Sequence, residues 1–296
     1  MSGTVDEWKV ARRRKGAARK SKLVQVSSGS TCCQEEKINI DKTVKRIREI
    51  VSEIRCEEVL KDWREQLSVV RSEVLLRPEN KDSEEPTVLL ETSRDVRSGQ
   101  RLECVCYGLG TFSSSVSARY QLAMLLLLLE SEQIPLKDCS VYDPAFSHGE
   151  KDVLRELGLT VLTENEEGKH LTTKPTLFYL MHCGKALYNN LLWKNWSKEH
   201  LPLITIIGNS FSGMMDRTIE REFKRDYGYI TQAVSVCEER QLPCPSRLTD
   251  VFSDTAVITF PNSGLVRLPQ STWMVPPEPQ YQHCPDLEII QKDAQS

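Results

Sequence analysis

Several things that would assign the 296-residue chain to a familiar class are missing from its sequence. Its longest apolar run, Leu122 to Leu129, is far short of the roughly 20 residues that cross a bilayer, so no membrane span is expected. The start, MSGTVDEWKVARRRKG, lacks the apolar centre of a signal peptide, which points to reduced thiols and a cytoplasmic location, with the nucleus as a second compartment. Ten cysteines are present, yet none form a C-x-x-C pair; Cys32-Cys33 and Cys104-x-Cys106 are the only close spacings, so no metal site is expected. There is no G-x-S-x-G elbow, no P-loop and no H-E-x-x-H, which removes the best-marked hydrolases and NTPases. No internal repeat is visible. Strong charge of one sign is lacking too: 39 basic residues face 42 acidic ones, and a net charge of -3 exerts no general pull on nucleic acid or anionic lipid.

What is present has the makeup of a folded chain, 39% hydrophobic and 27% charged. Residues 1–36 carry a basic cluster, Ala11 to Lys22, and few large apolar groups, so a disordered basic tail is expected there. In residues 37–76 the positions Ile40, Val44, Ile47, Val51 and Ile54, then Val59, Trp63, Leu67 and Val70, recur at three- and four-residue steps. That spacing predicts a helical segment, two helices or one broken near Cys56, packed as a cover on the main domain. Residues 77–100 are rich in charge and turn formers and read as a linker.

The main domain is expected over residues 101–262. Its centre is Cys104 to Glu130, a buried strand, a glycine-containing turn and an apolar helix. Strands are predicted at Glu103–Tyr107, Cys139–Tyr142, Thr160–Leu162, Thr176–Leu180 and Leu203–Ile207. Helices are predicted at Ser114–Glu130, Ser147–Leu157, Gly184–Trp196 and Met214–Tyr227. Short apolar strands alternating with helices predict a Rossmann-like, doubly wound, mainly parallel sheet. Two further strands, Tyr229–Val236 and Thr255–Phe260, joined through the turn-rich QLPCPSR, would add an antiparallel C-terminal edge. Residues 263–296 read as an extended tail.

Ligands of such sheets bind at the carboxyl ends of the strands. Gly108 and Gly110 follow the first strand, where a tight turn and a helix N-terminus can present amides to an anion; Ser113 stands where the third glycine of G-x-G-x-x-G would be. Asp143 follows the second strand, placed as a ribose-binding acid would be, though 33 positions past Gly110. His182 and Cys183 end the fourth strand, Asn189 lies on the next helix, and Asn209 and Ser210 end the fifth. Adjacent strand residues point to opposite faces, so His182 and Cys183 are not expected to act on each other.

CYGLGTF with SSSVSARYQLAMLLLLLE, then YDPAF, FYLMHCGKALYNNLLWKNW and ITIIGNSF, together resemble the Sensitivity to Red-light Reduced (SRR-like) family. The resemblance runs from about Cys104 to Phe211, and the basic N-terminal arm is similar to that of the family's animal members. What it implies is a regulatory protein, cytoplasmic, tied to circadian clock gene expression, light input and the regulation of heme biosynthesis, acting through a small ligand or protein partners. It supplies no catalytic residues. The residues themselves leave two readings open. One is a non-enzymatic regulator whose ligand, if any, is heme or a nucleotide, with His182, Cys183, Cys244 and Cys284 as the candidate axial ligands. The other is an enzyme that binds S-adenosylmethionine or a nucleotide at Gly108, Gly110 and Asp143. Nucleic acid is not expected as a partner apart from the basic N-terminal tail.

Overall fold

The computed structural model describes residues 38–75, 101–274, 277–281 and 284. The basic tail and the linker expected at 77–100 lie outside the described residues.

The architecture is α/β and follows from β1 (Glu103–Tyr107), whose sequence ECVCY is apolar on both faces. Cys104 and Cys106 enter one core layer, while Val105 and Tyr107 enter the other. A strand buried on both sides belongs in the middle of a covered parallel sheet. Around it are β2 (Cys139–Tyr142), β3 (Thr160–Val161), β4 (Thr176–Leu180), β5 (Ile204–Asn209), β6 (Glu238–Gln241) and β7 (Thr255–Thr259). The seven strands stand in the order β3-β2-β1-β4-β5-β7-β6. The first five are parallel, with Cys104 beside Cys139 on one flank and Leu177 on the other. β7 runs antiparallel to β5, and β6 antiparallel to β7.

One face of the sheet is covered by α1 (Ile40–Arg55), α2 (Glu58–Leu75), α3 (Val116–Ser131), α4 (His148–Glu156) and the short α9 (Thr249–Phe252). α1 starts at Asn39, whose side-chain oxygen accepts from the Lys42 amide. Its stripe Val44, Ile47, Ile50 and Ile54 is buried, and α2 adds Val59, Leu60, Trp63 and Leu67. α3 begins at Ser115, which caps the Ala118 amide. Its leucines from 122 to 129 are buried except the half-buried Leu126, as befits a helix packed between sheet and outer helices. The other face carries α5 (Lys185–Lys194), α6 (Phe211–Asp216), α7 (Glu220–Asp226), α8 (Gly228–Ala233) and α10 (Asn262–Leu265). No helix among the described residues is long and apolar enough to cross a membrane.

Three expectations change. Tyr229–Val236 is not a strand: residues 228–233 form α8, because the Asn189 carboxamide oxygen accepts the Tyr229 and Ile230 amides at 3.0 and 3.3 Å and satisfies donors at the start of the helix. The strand next to β7 is instead β6, EERQ, whose partly exposed polar residues suit a sheet edge. Met214–Tyr227 is two helices, α6 and α7, with α6 beginning earlier, at Phe211, because Ser210 caps it. Past Pro261, where an extended tail is expected, the described residues include α10, a 3-10 turn at Gln270–Trp273 and a buried Tyr281.

Trp63 ties the N-terminal helices to the sheet layer. It is fully buried, its indole N–H donates to the Pro243 carbonyl at 2.9 Å, and its ring meets Phe252 edge-on at 5.3 Å. Trp63→Ala is therefore expected to lower the unfolding free energy by about 3–5 kcal/mol in urea titration, whereas a loss under about 1 kcal/mol would mean that α2 is an accessory to the fold.

Candidate functional site

The turn after β1 is left-handed at both glycines, with φ of +67° at Gly108 and +74° at Gly110. Only glycine takes such angles without strain. At Gly108 the need is also steric, since a Cβ there would lie 2.5 Å from the Cys183 sulfur. That thiol in turn donates to the Tyr107 carbonyl at 3.2 Å, so the ends of β1 and β4 are joined beneath the turn.

The turn is held by two acids. Asp143 Oδ2 accepts the Gly110 amide at 2.7 Å, and its Oδ1 accepts the Ala145 amide at 2.8 Å. Glu150 Oε1 accepts the Ser113 amide at 2.9 Å, while Oε2 accepts from the Ser147 amide and hydroxyl at 3.0 and 2.9 Å. Asp143 is 7% exposed and Glu150 1%. Buried carboxylates need such partners to offset desolvation. Arg119 completes the brace, donating to the Phe112 and Ser113 carbonyls.

A third acid does the same after β5. Glu239 of β6 accepts from the Ser210 hydroxyl, the Phe211 and Ser212 amides and the Ser212 hydroxyl, at 2.5 to 3.2 Å. Ser210 caps the Gly213 amide. Asn209 is linked to β4 by Tyr188, whose hydroxyl donates to the Leu180 carbonyl and meets both the Asn209 amide and its side-chain oxygen. Burial holds the Tyr188 phenol well above its usual pKa, so it remains a protonated bridge.

Gly108, Gly110, Ser113, Asp143, His182, Asn209 and Ser210 thus lie at or just beyond the carboxyl ends of the parallel strands. Asn189 does not join them: it lies on α5, 1% exposed, with its side chain against the start of α8. His182 is exposed, in a left-handed turn with φ +52°, and its Nε2 stands 2.9 Å from the Val251 carbonyl. Its neighbour Cys183 faces Tyr107 in the other layer, so the two side chains do not offer donor atoms to one ligand. Among the described residues no group of three His, Cys, Asp or Glu side chains is placed to hold a metal ion.

Sequence reasoning missed Glu150, Glu239 and a chain formed by Tyr107, Glu166 and His170, in which the Tyr107 hydroxyl donates to Glu166 and His170 Nδ1 lies 3.0 Å from the same carboxylate. Burial, with Glu166 alongside, raises the Tyr107 pKa. Of the three, only Glu150 has a local signal, the Ser147-x-x-Glu150 spacing of a capping box.

These features define a class: a mixed, mostly parallel α/β domain whose strand-end turns are braced by its own carboxylates. The chain belongs to the SRR1 domain family, whose model matches residues 65–259, from within α2 to the last residue of β7. It is 54% identical over 136 residues to a mouse SRR1-like protein, covering 46% of this chain and 55% of that one. Over 161 residues it is 36% identical to a Drosophila melanogaster SRR1-like protein, 54% of this chain and 56% of that one. Over 187 residues it is 31% identical to the Arabidopsis thaliana protein Sensitivity to Red Light Reduced 1, 62% of this chain and 63% of that one. The matches thus span a little over half the length of these relatives.

Gly108→Ala is expected to destabilise the domain by at least about 1–2 kcal/mol through the left-handed angle alone, with the Cys183 contact adding to it. Adding Cys183→Ala should recover the steric part only, so a double-mutant cycle by chemical denaturation should show coupling between the two positions, and additive losses would contradict the contact.

Proposed function

We propose that the chain is a regulatory, non-catalytic member of its family that works through a protein partner. The observation that carries this reading is the bracing of the strand-end turns: the amides that would greet a phosphate at Gly110 and Ser113 already serve Asp143 and Glu150. An incoming anion would have to displace a carboxylate and then lie beside it. Heme fits no better, because His182 and Cys183 are each directed to a backbone carbonyl on opposite sides of β4. The family resemblance assigns the regulation to heme biosynthesis and circadian clock gene expression, in the cytoplasm. The red-light name of the Arabidopsis relative agrees with a regulatory role. In cells depleted of the protein, heme content and the daily rhythm of clock transcripts are expected to change, and re-expression of the chain to restore both; no change in either quantity would overturn the assignment.

A second reading has one specific support. The sheet is Rossmann-like in this proposal, and the order β3-β2-β1-β4-β5-β7-β6 with β7 reversed is similar to that of S-adenosylmethionine-dependent methyltransferases. Asp143 then ends β2 where a ribose acid would be. Calorimetry separates the readings: the regulatory one expects no saturable heat with S-adenosylmethionine or a dinucleotide, whereas binding that is lost in Asp143→Ala would establish the enzyme-like site.

A further inference from the structure

Away from the strand ends, the segment Pro277–Tyr281 lies against α5 and α8 in the manner of a bound peptide. Pro277, Glu278 and Gln280 are exposed and Pro279 is half-buried, whereas Tyr281 is 8% exposed. One buried aromatic among solvent-facing neighbours is the pattern of an anchor residue in a linear motif. A segment that only completed the core would bury more than one of its five side chains. Pro277 and Pro279 favour an extended backbone, and the segment contributes no strand to the sheet.

The socket selects for a phenol. Tyr281 Oη accepts from Asn189 Nδ2 at 3.1 Å, donates to Asn190 Oδ1 at 2.7 Å and lies 3.1 Å from the Ala186 carbonyl. The Tyr227 ring stands 6.0 Å away. The body itself fixes both amides: Asn189 Oδ1 receives the Tyr229 and Ile230 amides, and Asn190 Nδ2 donates to the Glu167 carbonyl at 2.8 Å. Two contacts set the segment's direction. Lys169 Nζ lies 2.5 Å from Glu278 and 2.6 Å from Glu167, and the Tyr229 hydroxyl donates to the Pro277 carbonyl at 3.3 Å. A small pocket of about 70 Å³ lies between Glu167, Lys169, Asn190 and the segment.

We propose that the face formed by α5, α8 and Lys169 is a docking site for an extended, proline-flanked peptide of a partner protein, one carrying a tyrosine with an acidic residue three positions before it. The chain's own Glu278–Tyr281 occupies the site and holds it closed until such a segment displaces it. The partner's chemistry is read from the occupant: Lys169, already paired with Glu167, favours the acid, and Asn189 with Asn190 favour the hydroxyl. This deepens the partner-based reading above and rests on it.

The test uses the full chain and a fluorescent peptide, PEPQYQHC, followed by anisotropy. The Tyr281→Ala chain is expected to bind it saturably. The unaltered chain should bind it at least about ten-fold more weakly, because the tethered segment competes at an effective concentration of roughly a millimolar. A peptide with alanine in place of the tyrosine should not bind, and adding Lys169→Ala to the Tyr281→Ala chain should weaken binding several-fold. Absence of binding to a folded Tyr281→Ala chain would overturn the proposal, as would failure of that variant to fold, since a displaceable segment must be dispensable to the core. Dimerisation of the unaltered chain through exchange of this segment would give the site to a second copy and overturn the partner assignment. A negative binding result leaves the heme and clock measurements standing, so the two proposals fail separately.

Discussion

The turn between β1 and α3 bends through two left-handed glycines at the end of a strand buried on both faces, and it keeps that shape because two buried carboxylates grip its amides. Asp143 and Glu150 come from the end of β2 and the start of α4, so the grip also fixes β2 against β1 and sets where α4 begins. Releasing the turn would cost each buried carboxylate one of its amide donors, leaving Asp143 only the Ala145 amide and Glu150 only its Ser147 contacts, and this penalty links turn, strand end and helix start. Cys183 reinforces this from below, since its thiol bonds the Tyr107 carbonyl and fills the space a side chain at position 108 would need.

Glu239 repeats the device at β5, placing a carboxylate on the Phe211 and Ser212 amides. Helix starts and glycine turns attract anions because their amides are unpaired. Here the chain's own acids take the Gly110, Ser113, Phe211 and Ser212 amides. Away from this edge, the neutral amides of Asn189 and Asn190 on α5 meet the Tyr281 hydroxyl, and Lys169 meets the Glu278 carboxylate.

Much of the fold was legible in the sequence, for identifiable reasons. All five parallel strands sit within a residue or two of their predicted ranges; β1 and β4 are the plainest, because strands buried on both faces must be apolar throughout. The three- and four-residue spacing of Val44, Ile47 and Ile54 showed α1, since a helix against a core buries one stripe. α8 reads as a strand in the sequence because Tyr229, Ile230, Thr231, Val234 and Val236 are aromatic or β-branched, whereas Asn189, some 40 positions earlier, supplies the oxygen that favours the helix. β6 was invisible because an edge strand with polar side chains carries no burial pattern. Of the candidate site, Gly108, Gly110 and Asp143 were legible through their positions after strands. The carboxylates that hold Ser113 and Ser210 were not, because the Glu150–Ser113 and Glu239–Ser210 contacts join residues 37 and 29 positions apart.

By itself the sequence determined the α/β class, the parallel strands, the apolar α3 and the family motifs, all of which depend on local periodicity and on residues near one another in the chain. Only the tertiary structure decided which groups the strand-end residues meet, because a carboxylate and the amide it accepts from are brought together in space and not by local spacing. It set Asp143 against the Gly110 amide, and it placed Asn189 of α5 against the Tyr281 hydroxyl and the start of α8.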